Sequence, residues 1–147
     1  NERRVFINMS MTTLHLEVIT PQRTVLSAQV SDLQFPSLTK GYYGILPTHT
    51  PLMTPLNNGV IYFSIGNQKR MVTVFGGFAE VGPDRVTILA QESETEDQID
   101  FKVAEVEYQQ ALKLLQDSPN EDSLRTAQAL LDRARIRMEC SGRTASH

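Results

Sequence analysis

His49 lies in the segment GYYGILPTHTPLMTPL of residues 41–56, between two threonines and among three prolines. An imidazole titrates near neutral pH, so a histidine in such a loop is a candidate general base. A base also needs a nucleophile or a substrate site within reach, and the sequence offers no catalytic serine or cysteine turn and no carboxylate pair beside His49. We therefore predict no catalysis by His49, and two interpretations of the segment remain: a core strand or a docking surface.

The other residues that bind metals or form disulfides are few and widely spaced. The histidines at positions 15, 49 and 147 and Cys140 show no spacing typical of metal ligands, so we predict no metal site. A single cysteine cannot form an internal disulfide, which is typical of a chain kept in a reducing compartment. We expect the Cys140 thiol to be buried and inert.

Charge and hydropathy exclude two classes of partner. The 147 residues contain 14 Lys and Arg against 17 Asp and Glu, for a formal charge of −3, which does not favour nucleic-acid binding. No run approaches the roughly 18–20 apolar residues that cross a bilayer, and NERRVFINMS at the start lacks the features of a signal peptide. We expect residues 1–10 to be a leader or an added extension without a role in the fold.

Residues 11–91 show the period-two alternation of half-buried strands, with turns at Gly66-Asn67-Gln68-Lys69 and Gly82-Pro83-Asp84. The spacing of these turns predicts seven to ten short strands in an antiparallel β-sandwich or barrel. The alternating apolar residues that carry this prediction include Leu14, Leu16, Val18, Val86, Ile88 and Ala90.

Residues 97–141 contain no glycine and favour helix. We predict a first helix over roughly 98–116 and a second that begins with Ser118 as its cap and Glu121 closing a capping box. The two apolar faces and the short connection indicate an antiparallel two-helix hairpin, followed by a flexible tail over residues 142–147. The predicted fold class is thus α+β, with an N-terminal antiparallel β-sandwich or barrel and a C-terminal helical hairpin.

The order and spacing of several motifs resemble the epsilon subunit of F-type rotary ATP synthase, whose mitochondrial equivalent is called delta. The resemblance covers residues 11–140. The motifs are GYYGILPTHTPLMTPLNNG from Gly41 to Gly59, GGFAEV at 76–81, VTILA at 86–90, Ile99-Asp100, and RARIR at 133–137.

The resemblance implies a non-catalytic rotor subunit that links the gamma subunit to the membrane-embedded c ring. It places Tyr42, Tyr43 and His49 at or near the c ring, which makes the segment of residues 41–56 a docking surface. Pro47 and Pro51 stiffen such a loop because they fix φ and remove backbone donors. Thr48 and Thr50 stand where the family usually has Gly and Ala, and Tyr42 where it often has a carboxylate or Gln.

The gamma-facing side implied by the resemblance contains Thr20, Val60 and Phe75. Interior packing is the competing interpretation of Val60 and Phe75. The aliphatic residues of the 41–56 segment are also interpreted as core rather than as partner contacts; they are Ile45, Leu46, Leu52, Met53 and Leu56.

Some bacterial members of the family bind ATP in the helical hairpin, which makes ATP a candidate regulatory ligand here; we predict no other cofactor. By position, the candidate residues are Glu94, Ile99, Asp100, Ala104, Arg133 and Arg137. Val103 replaces the arginine of the family motif, so the phosphate clamp is incomplete. Counting outward from the turn at 117–120 places Asp100 opposite Arg137, which predicts surface ion pairs as the alternative.

The resemblance further implies that the helices extend along gamma and inhibit ATP hydrolysis by contacting acidic residues of the alpha and beta subunits. The candidate contacts are Arg125, Arg133, Arg135 and Arg137. The expected location is peripheral, at the cytoplasmic face of a bacterial inner membrane or the stromal side of a thylakoid. A free-standing ATP sensor and a small sandwich enzyme remain the alternatives from other functional classes.

Overall fold

The computed structural model describes the backbone of residues 12–145 and the side chains of residues 12–141. The prediction for residues 1–10, and the end of the predicted tail at 146–147, lie outside the described residues. Contacts divide the chain into two compact units, residues 1–95 and 96–147.

Eight strands form the described part of the first unit, within the range of seven to ten expected from the turns. Along the sheet they follow the order β2-β1-β8-β7-β6-β3-β4, and β5 pairs with β7 beside this path. The strands are β1 (Leu14–Ile19), β2 (Thr24–Val30), β3 (Asp32–Ser37), β4 (Gly41–Ile45), β5 (Leu52–Pro55), β6 (Gly59–Ile65), β7 (Gln68–Val81) and β8 (Arg85–Glu92).

Strand β1 pairs in parallel with β8, whereas the other strand pairs are antiparallel. The prediction of a purely antiparallel sheet is wrong at this position. Two strands joined by a short turn must be antiparallel. Strands β1 and β8 are neighbours in the sheet but are the first and last strands in the sequence, so no short turn sets their relative direction. The sheet is therefore mixed.

Strand β7 belongs to both halves of the sheet. Up to Val74 it pairs with β6, and from Phe75 onward it pairs with β8 and then β5. The change occurs at Gly76 and Gly77, which have positive φ angles of 69° and 118°. A Cβ on Gly77 would stand 1.9 Å from the carbonyl oxygen of Leu89, so no larger residue fits without moving the backbone. The GGFAEV motif thus marks the point where one strand passes between the two layers.

One layer contains β1, β2, β5, β8 and the second part of β7, and the other contains β3, β4, β6 and the first part of β7. The inward faces of these two layers form one core. Leu16, Val18 and Ile88 from one layer and Phe35 and Ile61 from the other are fully buried members of a single cluster. Both predicted turns are confirmed in position: Ile65 pairs with Gln68, and the Gly82 N–H donates to the Arg85 carbonyl at 2.8 Å. The first turn is shorter than predicted, because Gln68 and Lys69 already belong to β7.

The second unit contains a 3-10 helix (Glu96–Gln98), helix α1 (Phe101–Gln116) and helix α2 (Glu121–Ala145). Helix α2 thus continues into the segment 142–147 that was predicted to be a tail. Its cap is Asn120, whose Oδ1 accepts from the Ser123 N–H at 2.9 Å. The predicted capping box at Ser118 is wrong, because the Ser118 hydroxyl instead donates to the Leu114 carbonyl at 2.7 Å and serves the end of α1.

Helices α1 and α2 pack together through small side chains, which confirms the predicted hairpin. The buried alanines occur in two pairs spaced by seven residues: Ala104 and Ala111 on α1, and Ala127 and Ala134 on α2. Each buries little apolar area, so the helices approach closely without a large hydrophobic core. Within the described residues, no helix combines the length and the apolar character that a bilayer span requires.

Candidate functional site

Residues 38–53 form an exposed segment that we call the lip. It comprises the β3–β4 turn, strand β4, and the loop that leads into β5. Two backbone hydrogen bonds anchor it: the Leu38 N–H donates to the Pro55 carbonyl at 3.0 Å, and the Thr48 N–H donates to the Pro83 carbonyl at 2.7 Å. Thr48 has a φ of 69°, which is unusual for a residue with a branched side chain. The lip is therefore tied to the rest of the sandwich at its first residue, Leu38, and within its second loop at Thr48.

Several apolar residues of the lip are exposed. Leu46 is 64% exposed and Met53 66%, so their interpretation as core residues is wrong. Ile45 and Leu56 are buried, as expected, and Leu52 is half-buried. A run of apolar residues at the end of a strand does not reveal by itself which of them leave the core, because the loop has no fixed periodicity.

Tyr43 and His49 come together on the lip. Their aromatic centres are 5.7 Å apart in an edge-to-face arrangement, and the ammonium of Lys40 lies 5.5 Å from the Tyr43 ring centre. The other neighbour of Tyr43 is the core residue Phe35, stacked at 6.0 Å. The half-buried Tyr43 thus contacts the core through Phe35 and the lip side chains Lys40 and His49.

Tyr42 lies apart from this pair, since neighbouring residues of a strand point to opposite faces. Its hydroxyl donates to the Val60 carbonyl at 2.8 Å and accepts from the Val60 N–H at 3.3 Å. Its ring is 5.8 Å from that of Tyr62, and about half of its surface remains exposed. The structure therefore separates the three residues predicted to contact the c ring into two groups.

The residues assigned to gamma by resemblance have little exposed surface. Val60 is fully buried, Phe75 and Thr20 nearly so. The Thr20 hydroxyl accepts from the Arg23 N–H at 3.3 Å and closes the turn between β1 and β2. This burial favours interior packing for Val60 and Phe75, and their contact with gamma stays a prediction.

A different apolar surface lies on the outer face of the layer that contains β1 and β8. Phe78 is 52% exposed and Leu89 48%, and these two residues are cross-strand partners. Phe78 also pairs with Pro55 on β5, and Leu89 with Ile19 on β1. The four residues form a continuous line across four strands, which we call the apolar row.

The next line of outward residues along the same strands is mainly polar. Met53 pairs with Glu80, Glu80 with Thr87, and Thr87 with Glu17. An apolar centre bordered by charged residues is the usual composition of a protein interface. The sequence contained a signal for this surface, because Phe78 and Leu89 occupy the outward positions of the period-two pattern that placed Ala90 and Ile88 inside.

The candidate nucleotide residues of the second unit are engaged in local structure. Asp100 caps α1 by accepting from the Lys102 N–H at 2.9 Å and the Val103 N–H at 3.3 Å. Arg137 forms an ion pair with Glu107, about two helical turns along α1 from Asp100. The predicted placement of Asp100 opposite Arg137 is therefore wrong.

The remaining candidate nucleotide residues lie in varied surroundings. Ile99 and Ala104 are buried, while Arg133 borders a shallow cleft that Glu107 also lines. In the first unit, the Glu94 N–H donates to the Thr73 hydroxyl at 2.9 Å, and the Glu94 carbonyl accepts from the Thr73 N–H. Nucleotide binding by these residues stays a prediction.

Two of the arginines expected to meet alpha and beta are paired within α2. Arg125 forms an ion pair with Asp122, and Arg135 forms one with Asp132. The hydrogen bond that Arg135 donates to the Asp132 carboxylate raises the pKa of Arg135, so this guanidinium is firmly charged. Because both arginines are largely exposed, their pairs contribute little stability and can exchange for other carboxylates.

Cys140 is buried, as expected, and the inertness of its thiol stays a prediction. Within the described part of the chain, no three His, Cys, Asp or Glu side chains are grouped so that they could hold a metal ion.

Comparison with known proteins bears on both units. Residues 13–96 match the family described as ATP synthase, Delta/Epsilon chain, beta-sandwich domain. The ATP synthase epsilon chain of Moorella thermoacetica is 39% identical over 133 residues, which covers 90% of this chain and 98% of that one. The ATP synthase epsilon chain of Halalkalibacterium halodurans is 39% identical over 134 residues, covering 90% and 100%.

Two solved structures share the fold. A chain in the Euglena gracilis mitochondrial ATP synthase structure, described as OSCP/F1/c-ring in rotational state 1, matches with a TM-score of 0.67 and 21% identity, covering 92% of this chain and 82% of that one. A chain in the central stalk/c-ring structure of the Tetrahymena thermophila mitochondrial ATP synthase matches with a TM-score of 0.52 and 11% identity, covering 87% and 96%. At these identities the likeness concerns the fold alone.

Proposed function

The chain belongs to the ATP synthase delta/epsilon family, and from that premise we propose that it is a non-catalytic central-stalk subunit linking gamma to the c ring. In this role it couples ion translocation to ATP synthesis by transmitting torque between two partners. A linking subunit needs a rigid body with two separate binding surfaces. The apolar row and the lip are both built on the first unit and supply such a pair.

The observation that carries this proposal is the apolar row of Pro55, Phe78, Leu89 and Ile19. Half-exposed aromatic and aliphatic side chains in a continuous line are costly in water and favour a lasting protein partner. We assign this row to gamma, because a permanent contact in a rotor requires apolar area. The buried Val60 and Phe75 then support the interface from within the chain.

The lip is assigned to the c ring. Its prolines and its two anchoring hydrogen bonds restrict the backbone, so the lip loses little conformational entropy when it docks. Its exposed Leu46 and half-exposed Tyr42 offer contact area, and the backbone at Thr48 stays fixed relative to the β7–β8 turn.

Co-purification with gamma and the c ring from membranes tests this function. Phe78→Asp places a charge in the apolar row and should reduce gamma binding by at least about tenfold, since it leaves an unpaired carboxylate in an apolar contact. Val106→Asp is the matched control, because Val106 is equally exposed but lies on helix α1. If both variants lose gamma to the same extent, or if neither variant loses it, the assignment of the apolar row to gamma is contradicted.

We further propose that the helices of the second unit inhibit ATP hydrolysis when they extend along gamma towards alpha and beta. The exchangeable ion pairs of Arg125 and Arg135 support this proposal, since both guanidiniums can turn to acidic partners. Truncation after Thr95 keeps the bridge between Thr95 and Val72 and should leave assembly and ATP synthesis intact while ATP hydrolysis rises. Unchanged hydrolysis in the truncated complex would remove the inhibitory role.

ATP sensing by the isolated chain is the alternative, and the proximity of Arg133 and Arg137 on one face of α2 favours it. It requires that ATP breaks or tolerates the ion pair between Arg137 and Glu107. Calorimetric titration of the full chain with ATP tests it, with Arg137→Ala expected to abolish the signal and Arg125→Ala to preserve it. No heat of binding for the unaltered chain would exclude the sensor.

The proposed location follows from the proposed partners. A chain that reaches the membrane only through the c ring is a peripheral subunit, at the cytoplasmic face of a bacterial inner membrane or the stromal side of a thylakoid. Release of the chain together with gamma when the catalytic part of the complex is detached from membranes is the expected behaviour.

A further inference from the structure

The lip belongs to a long part of the chain that carries no carboxylate. Between Leu33 and Ala79 there is no Asp or Glu, and the basic residues there are Lys40, Lys69 and Arg70. The chain as a whole has a formal charge of −3, so its acidic residues are concentrated elsewhere. Within residues 38–53 Lys40 is the only formally charged side chain, so the part of the lip around it carries a positive charge and attracts anionic groups, while Glu80 and Asp84 lie beside the other end of the lip at Pro51–Met53.

Lys40 is the lip cation that is best placed for such a group. It is exposed, its ammonium rests near the Tyr43 ring, and it forms no ion pair within the described part of the chain. An exposed ammonium beside an aromatic ring is weakly held, so it can turn to a stronger acceptor. Lys40 thus remains available to an incoming anion.

His49 lies on the edge of the same Tyr43 ring. Its Nδ1 is 2.7 Å from the Thr50 carbonyl oxygen, which identifies Nδ1 as the protonated nitrogen in this arrangement. That hydrogen bond fixes the imidazole and holds it against Tyr43. Lys40, Tyr43 and His49 consequently form a compact polar cluster, and the exposed Leu38 and Leu46 belong to the same lip.

We infer that this cluster is a receptor for a carboxylate on the partner loop, so the c-ring loop that meets the lip carries an Asp or Glu. The inference rests on the proposed function and adds the chemistry of the contact. Lys40 supplies the charge, while Tyr43 and His49 position it. Apolar lip residues that exclude water from the contact strengthen the ion pair. Lys40 is accordingly the residue that selects an acidic loop over a basic one.

Binding of the full chain to purified c rings in nanodiscs of neutral lipid tests the inference. Lys40→Glu should weaken binding by about fivefold or more, because attraction becomes repulsion, whereas Lys40→Arg should retain it. Lys102→Glu is the matched control, since it makes the same change of net charge at an exposed position of helix α1. Binding should also weaken as salt is raised, and less so for Lys40→Glu.

A charge swap identifies the partner group. Replacing the acidic residue of the c-ring loop with Lys should restore binding of the Lys40→Glu chain, which no general loss of folding would do. Equal binding of Lys40→Glu and Lys102→Glu, or the absence of rescue, would overturn the inference. Lys40-dependent binding to anionic nanodiscs without c rings would overturn it too, in favour of a lipid surface. If the unaltered chain fails to bind c rings at all, the proposed function itself fails.

Discussion

The sandwich and the helical hairpin bury their apolar residues in different ways. The sandwich encloses large side chains such as Phe35, Leu16 and Ile88 in a core shared by two layers of strands. The hairpin closes mainly on alanines, with Ile136 as a larger buried side chain, and large apolar residues such as Val106 and Leu114 stay exposed on it. Because buried area sets the hydrophobic free energy, the sandwich is expected to be much harder to open than the hairpin.

The two units also differ in their ion pairs. Carboxylates and arginines of the helices make pairs such as Arg135–Asp132 within α2 and Arg137–Glu107 between α2 and α1. Exposed pairs such as Arg135–Asp132 are worth about 0–1 kcal/mol each and exchange readily with other partners. The two units are therefore built differently. The sandwich is a rigid body that can bind two partners, whereas the hairpin is weakly held and can change partners.

The largest expected effect is at Gly77, and it tests the rigidity of the sandwich. Gly77→Ala places a Cβ against the Leu89 carbonyl at a φ of 118°, which should lower the free energy of unfolding by more than about 3 kcal/mol. Gly66→Ala is the control, since its Cβ meets no atom within 4 Å and only a positive φ of 59° is strained, at about 1 kcal/mol. Urea denaturation followed by circular dichroism measures both. Similar losses of unfolding free energy for the two variants would show that the close contact at Gly77, where β7 passes between the layers, does not limit the stability of the sandwich.

A smaller effect is expected at the start of α2, where the structure and the capping box disagree. Asn120→Ala removes the side-chain acceptor of the Ser123 N–H and should cost about 1 kcal/mol, seen as faster hydrogen exchange in the first turn of α2. Ser118→Ala should leave that turn unchanged, because Ser118 bonds to Leu114 instead. Faster exchange in the first turn of α2 after Ser118→Ala would show that Ser118 caps α2 and would contradict the structure.

The smallest effect is expected at the ion pair between Glu107 and Arg137. Glu107→Gln should weaken hairpin closure by less than about 1 kcal/mol, because Glu107 is half exposed and the glutamine carbonyl can still accept from Arg137, whose side chain is only 15% exposed. Amide exchange should then accelerate in α1 and α2 and stay constant in the sandwich, while Glu105→Gln, an exposed control on the same helix, should change neither. Acceleration in the sandwich as well would show that the two units open together, and the contrast between them would be lost.

Much of the fold follows from local rules that operate within a few residues. Period-two alternation identified Leu14, Leu16 and Val18 as inward residues, and the Gly66-Asn67 and Gly82-Pro83-Asp84 turns fixed which strands are neighbours. Helix positions were equally accessible, since Ala and charged residues spaced by three and four define them. The parallel pairing of β1 with β8 was not accessible, because no short segment contains both strands.

The candidate site was only partly predictable. The lip was found because its prolines, tyrosines and histidine stand out in the sequence, but which of its residues are exposed depends on how the loop leaves the core. The sequence did not predict the apolar row, because its members are far apart in sequence and meet only across paired strands. They are Pro55, Phe78, Leu89 and Ile19. The motifs of the sequence indicated the family, which the relatives confirm, and the pairing of strands supplied the surface.

By itself, the sequence determined the two kinds of secondary structure, the change from one to the other between residues 91 and 97, and the turns marked by Gly66 and Gly82. These properties depend on side-chain size, backbone freedom and local spacing. Only the tertiary structure decided that Glu107 rather than Asp100 meets Arg137, and that Val60 is interior while Phe78 is exposed. The physical reason is that register and burial are set by packing between distant segments, which no local pattern contains.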